Sequence, residues 1–138
     1  MTNQDLLKSA LLIAFVATAG SLFFSEVMIL PPCVLCWYQR ILMYPLILIF
    51  SVGLFRSAKE SFIYGLSLSI TGLIIAIYHN LLYYHLIPES ITPCTSGVSC
   101  TSRQIEWFGF VTIPLMSLIA FTVITVIGFK VLKSKEKT

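Results

Sequence analysis

Four long stretches without a charged residue constrain the fold of this chain more than any other feature. They cover residues 9–25, 41–55, 61–88 and 107–129. A helix needs roughly 17 to 25 apolar residues to cross the hydrocarbon core of a bilayer. The composition, 57% hydrophobic and 11% charged, also lies far from that of a soluble domain. The sequence therefore predicts a membrane protein with four transmembrane helices.

We predict a single all-α domain, a four-transmembrane-helix bundle with two extracytoplasmic cysteine-bearing loops. The spans are expected at about residues 7–25, 37–55, 62–83 and 108–129. The second uncharged stretch has only 15 residues, so its span must begin near Trp37 and take Arg40 into the membrane boundary. The short link RSAKE at 56–60 predicts that the second and third spans are antiparallel neighbours.

The lysines and arginines predict the orientation. With a cytoplasmic N-terminus, seven of these nine residues lie on the cytoplasmic side, and only Arg40 and Arg103 lie outside. This bias follows the positive-inside rule, so we predict that both termini are cytoplasmic. The net charge of +3 comes mainly from the C-terminal tail. We therefore expect membrane lipid, and no nucleic acid, around this chain.

All four cysteines lie in the two predicted outer loops. Cys33 and Cys36 form a C-x2-C pair, and Cys94 and Cys100 form a C-x5-C pair. Two structural disulfides, a four-cysteine zinc site and a redox relay are all compatible with this pattern. The outer compartment oxidises thiols and the wider spacing is unusual in a zinc site, so we predict no metal. A C-x2-C bridge closes too small a loop to stabilise a fold much, which favours the redox relay.

The surroundings of Cys36 favour a reactive thiol. If the second span begins near Cys36, the thiol lies at a helix N-terminus with Arg40 one turn further on the same face. Both features lower a thiol pKa. We therefore predict that Cys36 is the reactive thiolate and that Arg40 has a functional role, although arginines at a membrane interface often only extend their charge towards water. A dithiol that has taken up electrons must pass them to an acceptor. Inside a bilayer the available acceptor is a quinone.

Several segments together resemble the DsbB/BdbC family of membrane disulfide-forming oxidoreductases. They are CVLCWYQR at 33–40, YHNLLYY at 78–84, the second cysteine pair, and WFGFVTIP at 107–114. The likeness is strongest to the short BdbC type of Gram-positive bacteria. It implies a bacterial plasma membrane enzyme that reoxidises a secreted thioredoxin-fold oxidase of the DsbA/BdbD kind. It also implies that the electrons pass to a quinone, menaquinone rather than ubiquinone.

The resemblance also implies roles for individual residues near the quinone. Cys33 and Cys36 match the pair that passes electrons to the quinone, with Cys36 in contact with its ring. Arg40 matches the side chain that supports the Cys36 thiolate and the quinone. His79 matches a histidine that the family places near the quinone.

For the second pair, the resemblance implies exchange with the secreted partner. Cys94 matches the cysteine that forms the mixed disulfide with this partner, and Cys100 the one that links transiently to Cys33. The five-residue spacing between Cys94 and Cys100 is shorter than in many proteobacterial members. Docking of the partner and exchange between the loops are therefore expected to differ in detail.

Three other functions are alternatives to this one. The chain could be a non-enzymatic four-span protein with structural disulfides on its outer side, or a metal-binding membrane module. A vitamin-K-epoxide-reductase-like enzyme also couples thiols to a quinone through four spans. In that family the C-x2-C pair adjoins the last span, whereas here it precedes the second, so the order of the motifs argues against it.

Overall fold

Four long helices make up most of the residues that the structure describes. The computed structural model describes residues 2–29, 33–88, 106–107 and 111–134, with only the backbone of residues 106, 107, 111 and 112. The helices are α1 (Asn3–Leu22), which continues into a π-helical turn (Phe23–Val27), α2 (Val34–Phe55), α3 (Ala58–Tyr83) and α4 (Ile113–Lys133). Each is long and apolar enough to cross a membrane. The predicted all-α membrane bundle is confirmed.

A short antiparallel pair precedes the last helix. Strand β1 (Glu106–Trp107) pairs with β2 (Val111–Thr112), with Glu106 opposite Thr112. This pair has only two residues in each strand, so the chain is an all-α protein with a small hairpin at the start of α4.

The helices pack as a closed ring in which each neighbours the next along the chain. Helix α3 packs against α2 and α4, and α1 packs against the same two helices from the other side. Only Arg56 and Ser57 separate α2 from α3, which makes these two helices adjacent, as the short link predicted. Helix α1 therefore lies diagonally across the bundle from α3.

Aromatic rings and glycines set the spacing between the helices. Phe50, Phe62 and Phe121 are fully buried, whereas side chains such as Phe55 face outward, where lipid surrounds a membrane protein. A methyl group added to Gly65 would lie 2.6 Å from the Phe50 ring, and one added to Gly72 would overlap the Phe121 ring. Small residues permit this close approach because helices in lipid associate through packing rather than through the hydrophobic effect.

A buried polar contact joins α3 to α4. The hydroxyls of Ser69 and Thr125 lie 2.7 Å apart, and the Thr125 hydroxyl also donates to the carbonyl oxygen of Phe121. Polar groups in a membrane interior need such partners because no water is present to satisfy them. The contact fixes the register of α4 against α3.

All four helix starts lie three to five residues from the starts of the predicted spans. Helix α2 begins at Val34, three residues before the predicted start at Trp37, with Cys33 as its N-cap. Helix α4 begins at Ile113, after strand β2, whereas the span was predicted from 108. Pro114 therefore lies in the first turn of its helix, where a missing N–H costs nothing, and not in the interior. The membrane limits themselves stay predictions.

Candidate functional site

The C-x2-C pair lies where α2 begins. Cys33 is the N-cap, and its sulfur accepts a hydrogen bond from the backbone N–H of Cys36 at 3.4 Å. The two sulfurs lie 2.9 Å apart, against roughly 2.0 Å in a disulfide. Cys33 is buried and Cys36 half-buried. The first turn of one helix therefore holds both sulfurs close to bonding distance.

His79 approaches the pair from the end of α3. It is 2% exposed, and its Nε2 lies 3.7 Å from the sulfur of Cys33. Its Nδ1 accepts a hydrogen bond from Nε2 of Gln39 at 3.2 Å. Because Nδ1 accepts, the neutral ring carries its proton on Nε2, which faces Cys33. The predicted site residue His79 thus contacts the thiol pair directly.

In this geometry the thiol with the lowered pKa is Cys33. The hydrogen bond that its sulfur accepts from the Cys36 thiol lowers the pKa of Cys33 well below its ordinary value, and His79 adds to the effect. The sequence instead predicts that the helix N-terminus lies near Cys36. Since α2 begins at Val34, the cap position belongs to Cys33 instead. Pro31 and Pro32 are a sequence signal for this earlier start of α2, because proline favours positions at or before the first turn of a helix.

Arg40 lies one helical turn after Cys36 and is buried. Its Nε donates to the hydroxyl of Ser21 and its Nη2 to the carbonyl oxygen of Ser21, each at 2.8 Å. The centre of the guanidinium group lies 5.4 Å from the ring centroid of Trp37, within the range of a cation–π contact. A buried charge is expensive unless it is paired, and these contacts hold the side chain in one position.

A cavity of about 430 Å³ lies between α1, α2 and α4. Cys36, Gln39 and Arg40 contribute to its α2 wall, and none of its lining residues comes from α3. The two cysteines therefore face different surroundings. Cys36 borders the cavity beside Arg40, whereas Cys33 contacts His79 on the α3 side.

The cavity opens towards the lipid-facing surface of the bundle. Four of its lining side chains are also exposed on the outside of α1 and α4: Leu12, Val16, Met116 and Ile119. Most of the remaining lining is apolar. The size and character of the cavity match those of small-molecule sites, which are mainly apolar with a few placed polar groups.

Two hydroxyl residues of α1 belong to the cavity wall and were missed in the sequence. Ser21 binds Arg40, as described above. The Oγ1 atom of Thr18 is buried and has no hydrogen-bond partner among the described residues. Buried hydroxyls are nearly always paired, so Thr18 offers a hydrogen bond to whatever occupies the cavity. Neither residue carried a sequence signal, because both lie in an uninterrupted apolar stretch.

The π-helical turn follows these hydroxyls directly. Two of its residues, Phe24 and Ser25, also line the cavity. Turns of this type are rare and occur often at functional sites. The turn begins two residues after Ser21, which binds Arg40.

The second cysteine pair lies outside the described residues. This applies to Cys94 and Cys100, the two residues expected to exchange with the partner, and to the loop that carries them. Their roles stay predictions.

A comparison with protein families decides where the chain belongs. The model of the family "Disulfide bond formation protein DsbB" matches residues 4–131, nearly the whole chain. The chain belongs to the DsbB family. The matched range includes the Cys33–Cys36 site and all four helices except the first residue of α1 and the last two of α4. The resemblance of the sequence motifs to this family is confirmed.

Curated DsbB-family relatives cover similar lengths. The chain is 46% identical to disulfide bond formation protein C of Bacillus subtilis (strain 168) over 128 residues, 91% of this chain and 90% of the relative. It is 44% identical over 126 residues to the SPbeta prophage-derived disulfide bond formation protein B of the same organism, 90% of this chain and 84% of that protein. No solved structure matches the chain.

Membership in the DsbB family assigns the coarse function. The chain is a multi-pass membrane oxidoreductase of disulfide bond formation, and it acts with a thiol–disulfide partner. The DsbB family is generally quinone-linked. Membership also argues against the non-enzymatic alternative, in which the cysteines would form structural disulfides only.

Proposed function

We propose that this DsbB-family protein reoxidises an extracytoplasmic thioredoxin-fold disulfide donor and passes the electrons to a membrane quinone. The observation that carries the proposal is the position of Cys36 and Arg40 on one wall of a lipid-facing cavity. A reactive thiol and a fixed cation border the same space. A quinone supplies the chemistry of a two-electron, two-proton acceptor there.

The residues around the cavity fit a quinone head group. Arg40 uses Nε and Nη2 to bind Ser21, and its guanidinium group has further N–H donors for a carbonyl oxygen. The hydroxyl of Thr18 is a second polar group without a partner among the described residues. The apolar remainder suits a ring and an isoprenoid tail. His79 does not line the cavity, so its proposed contribution acts through Cys33.

The two thiols have different roles in this proposal. Cys33 exchanges with the second pair, Cys94 and Cys100, which takes electrons from the reduced donor. Cys36 faces the acceptor. Two thiols lose two electrons and two protons when their disulfide forms, and these match what the acceptor takes up. Before Cys36 can act as a thiolate it must lose its proton, and the sulfur of Cys33, 2.9 Å away, is positioned to accept it.

The side of the membrane and the type of quinone are parts of the same proposal. The positive-inside bias supports cytoplasmic termini and an extracytoplasmic position for the cysteine loops. Similarity to the short Gram-positive type supports menaquinone over ubiquinone. The membrane side and the quinone type are both inferred from the sequence, so neither depends on the cavity.

The test is oxidation of a reduced thioredoxin-fold donor by the purified full-length chain, with menaquinone, ubiquinone or no quinone added. We expect turnover only with a quinone. Arg40→Ala should reduce it at least tenfold, because removal of a buried charged contact costs about 1.5 to 3 kcal/mol. Arg56→Ala, at the exposed far end of α2, is the matched control and should keep full turnover. Equal turnover without quinone would refute the proposal.

A further inference from the structure

Three potential metal ligands meet at the start of α2. The sulfurs of Cys33 and Cys36 and a ring nitrogen of His79 all lie within 4.8 Å of one another, the one such group found among the described residues. Helix α2 supplies the two sulfurs and α3 supplies the imidazole. This donor set differs from the four-cysteine zinc site that the sequence pattern suggested, because it uses one cysteine pair and a histidine.

The distances suit a tetrahedral ion. Bonds of about 2.3 Å to sulfur and 2.0 Å to nitrogen place neighbouring ligand atoms roughly 3.6 to 3.8 Å apart. The sulfur of Cys33 and Nε2 of His79 already lie 3.7 Å apart. The two sulfurs, at 2.9 Å, are about 0.9 Å too far apart for a disulfide and about 0.9 Å too close for a chelate. A small movement of the first turn of α2 leads to either arrangement.

We propose that the reduced protein binds Zn²⁺ through Cys33, Cys36 and Nε2 of His79. Two cysteines and one histidine are a known ligand set for zinc with an open fourth position. Both cysteines bind the ion as thiolates, so binding releases any proton that the pair still carries and moves no electrons. The disulfide form supplies no thiolate, so only the reduced form binds the ion.

Gln39 is not a ligand but hydrogen-bonds the ligating histidine. A ligating Nε2 must be free of its proton, which then resides on Nδ1. The Gln39 amide donates to Nδ1 at 3.2 Å in the metal-free geometry, and half a turn of the amide would bring its carbonyl oxygen to the same place as an acceptor. Metal-bound histidines usually donate their other N–H to such an oxygen. Gln39 is thus suited to both states of the ring.

Zinc would hold the thiol pair in its reduced form. Both sulfurs would be bound to the ion, so neither could form the disulfide or pass electrons onward. This consequence rests on the proposed function and makes extracytoplasmic zinc an inhibitor of disulfide formation. The binding itself does not depend on quinone chemistry.

The experiment uses Co²⁺ as a spectroscopic probe for zinc. The full-length chain, with Cys94→Ser and Cys100→Ser to remove the second pair, is reduced without quinone and titrated with Co²⁺ in detergent. We expect one Co²⁺ per chain, a thiolate-to-cobalt absorption band, and loss of that band on addition of Zn²⁺. The oxidised protein should show no band.

Variants of the two histidines separate this site from adventitious binding. His79→Asn should weaken Co²⁺ binding at least tenfold, whereas His85→Asn, the other histidine and an exposed one, should not change it. Gln39→Leu should weaken binding about 10- to 100-fold, as expected for a partner of a ligating histidine. Gln39→Leu keeps all three ligands, so it tests the site even if His79→Asn fails to fold.

Three outcomes would overturn the proposal. They are no absorption band in the reduced protein, a band unchanged by both His79→Asn and Gln39→Leu, and binding that requires Cys94 and Cys100. Each of these outcomes is measured by Co²⁺ absorption and does not require a turnover assay. Failure of the proposed function would instead appear as absent quinone-dependent turnover in metal-free protein, so the two failures are distinguishable.

Discussion

Arg40 is bound to a single residue of the neighbouring helix through two hydrogen bonds. Its Nε donates to the hydroxyl of Ser21 and its Nη2 to the carbonyl oxygen of the same residue, both at 2.8 Å. One of these bonds depends on the side chain of Ser21 and the other only on its backbone. The arginine that borders the cavity therefore takes its position from α1.

Ser21→Ala should weaken quinone use without abolishing it. The variant removes the bond to Nε and keeps the bond to Nη2, so the guanidinium loses its fixed orientation and not its charge. We expect the KM for quinone to rise up to about tenfold, with kcat within about twofold. Steady-state kinetics at varied quinone concentration measures this. Ser25→Ala, a cavity residue whose hydroxyl bonds Leu22 instead, is the control, and an equal effect in both variants would contradict the prediction.

Thr18→Val should weaken quinone affinity while leaving the fold unchanged. The buried hydroxyl has no partner among the described residues, so its removal costs the folded protein nothing, whereas the occupant loses one hydrogen bond. About 0.5 to 1.5 kcal/mol corresponds to a two- to tenfold rise in Kd. Quinone binding by fluorescence quenching measures it. Thr122→Val, on the exposed face of α4, should leave Kd unchanged. An unchanged Kd in Thr18→Val would remove this residue from the site.

The relay predicts an ordered loss of function in two serine variants. Cys36→Ser should abolish quinone reduction, because Cys36 supplies the one thiol that borders the cavity among the described residues. Cys94→Ser should abolish oxidation of the donor, yet its chemically reduced Cys33–Cys36 pair should still reduce quinone in a single turnover. Stopped-flow absorbance of the quinone separates the two. Full donor oxidation by either variant would show that the relay is assigned incorrectly.

Gly72→Ala should destabilise the bundle because its methyl group would overlap the Phe121 ring. Overpacking of this kind costs about 1 to 3 kcal/mol in the free energy of unfolding. Gly20→Ala is the matched control, since the added methyl group would meet no other described residue within 4 Å apart from the adjacent backbone of its own helix. Unfolding in sodium dodecyl sulfate, followed by circular dichroism, should show a loss only for Gly72→Ala. Equal stability of the two variants would contradict the contact.

The sequence was sufficient for the helices and for half of the site. Charge-free stretches identify membrane helices because a charge in the bilayer core is costly. Cys36 and Arg40 could be paired from helical periodicity alone, since residues four apart share a face. Features within one helix were therefore predictable.

The other half of the site depends on contacts between helices. The bond from Gln39 to His79 joins residues 40 positions apart, and the register of α2 against α3 is set by close contacts such as that of Gly65 with Phe50. Ser21 and Thr18 are ordinary hydroxyl residues in the sequence of α1. Only the packing of α1 beside α2 and α4 gives them a role.

The cavity opens through side chains that also face lipid, so the proposed quinone would enter it from within the bilayer and not from water. In such a site the quantity that governs occupancy is the mole fraction of quinone in the lipid or detergent phase. The KM for quinone, expressed as a bulk concentration, should then rise in proportion to the detergent concentration. Dilution with buffer, which lowers the concentration of the thiol donor, should leave access to the quinone unaffected.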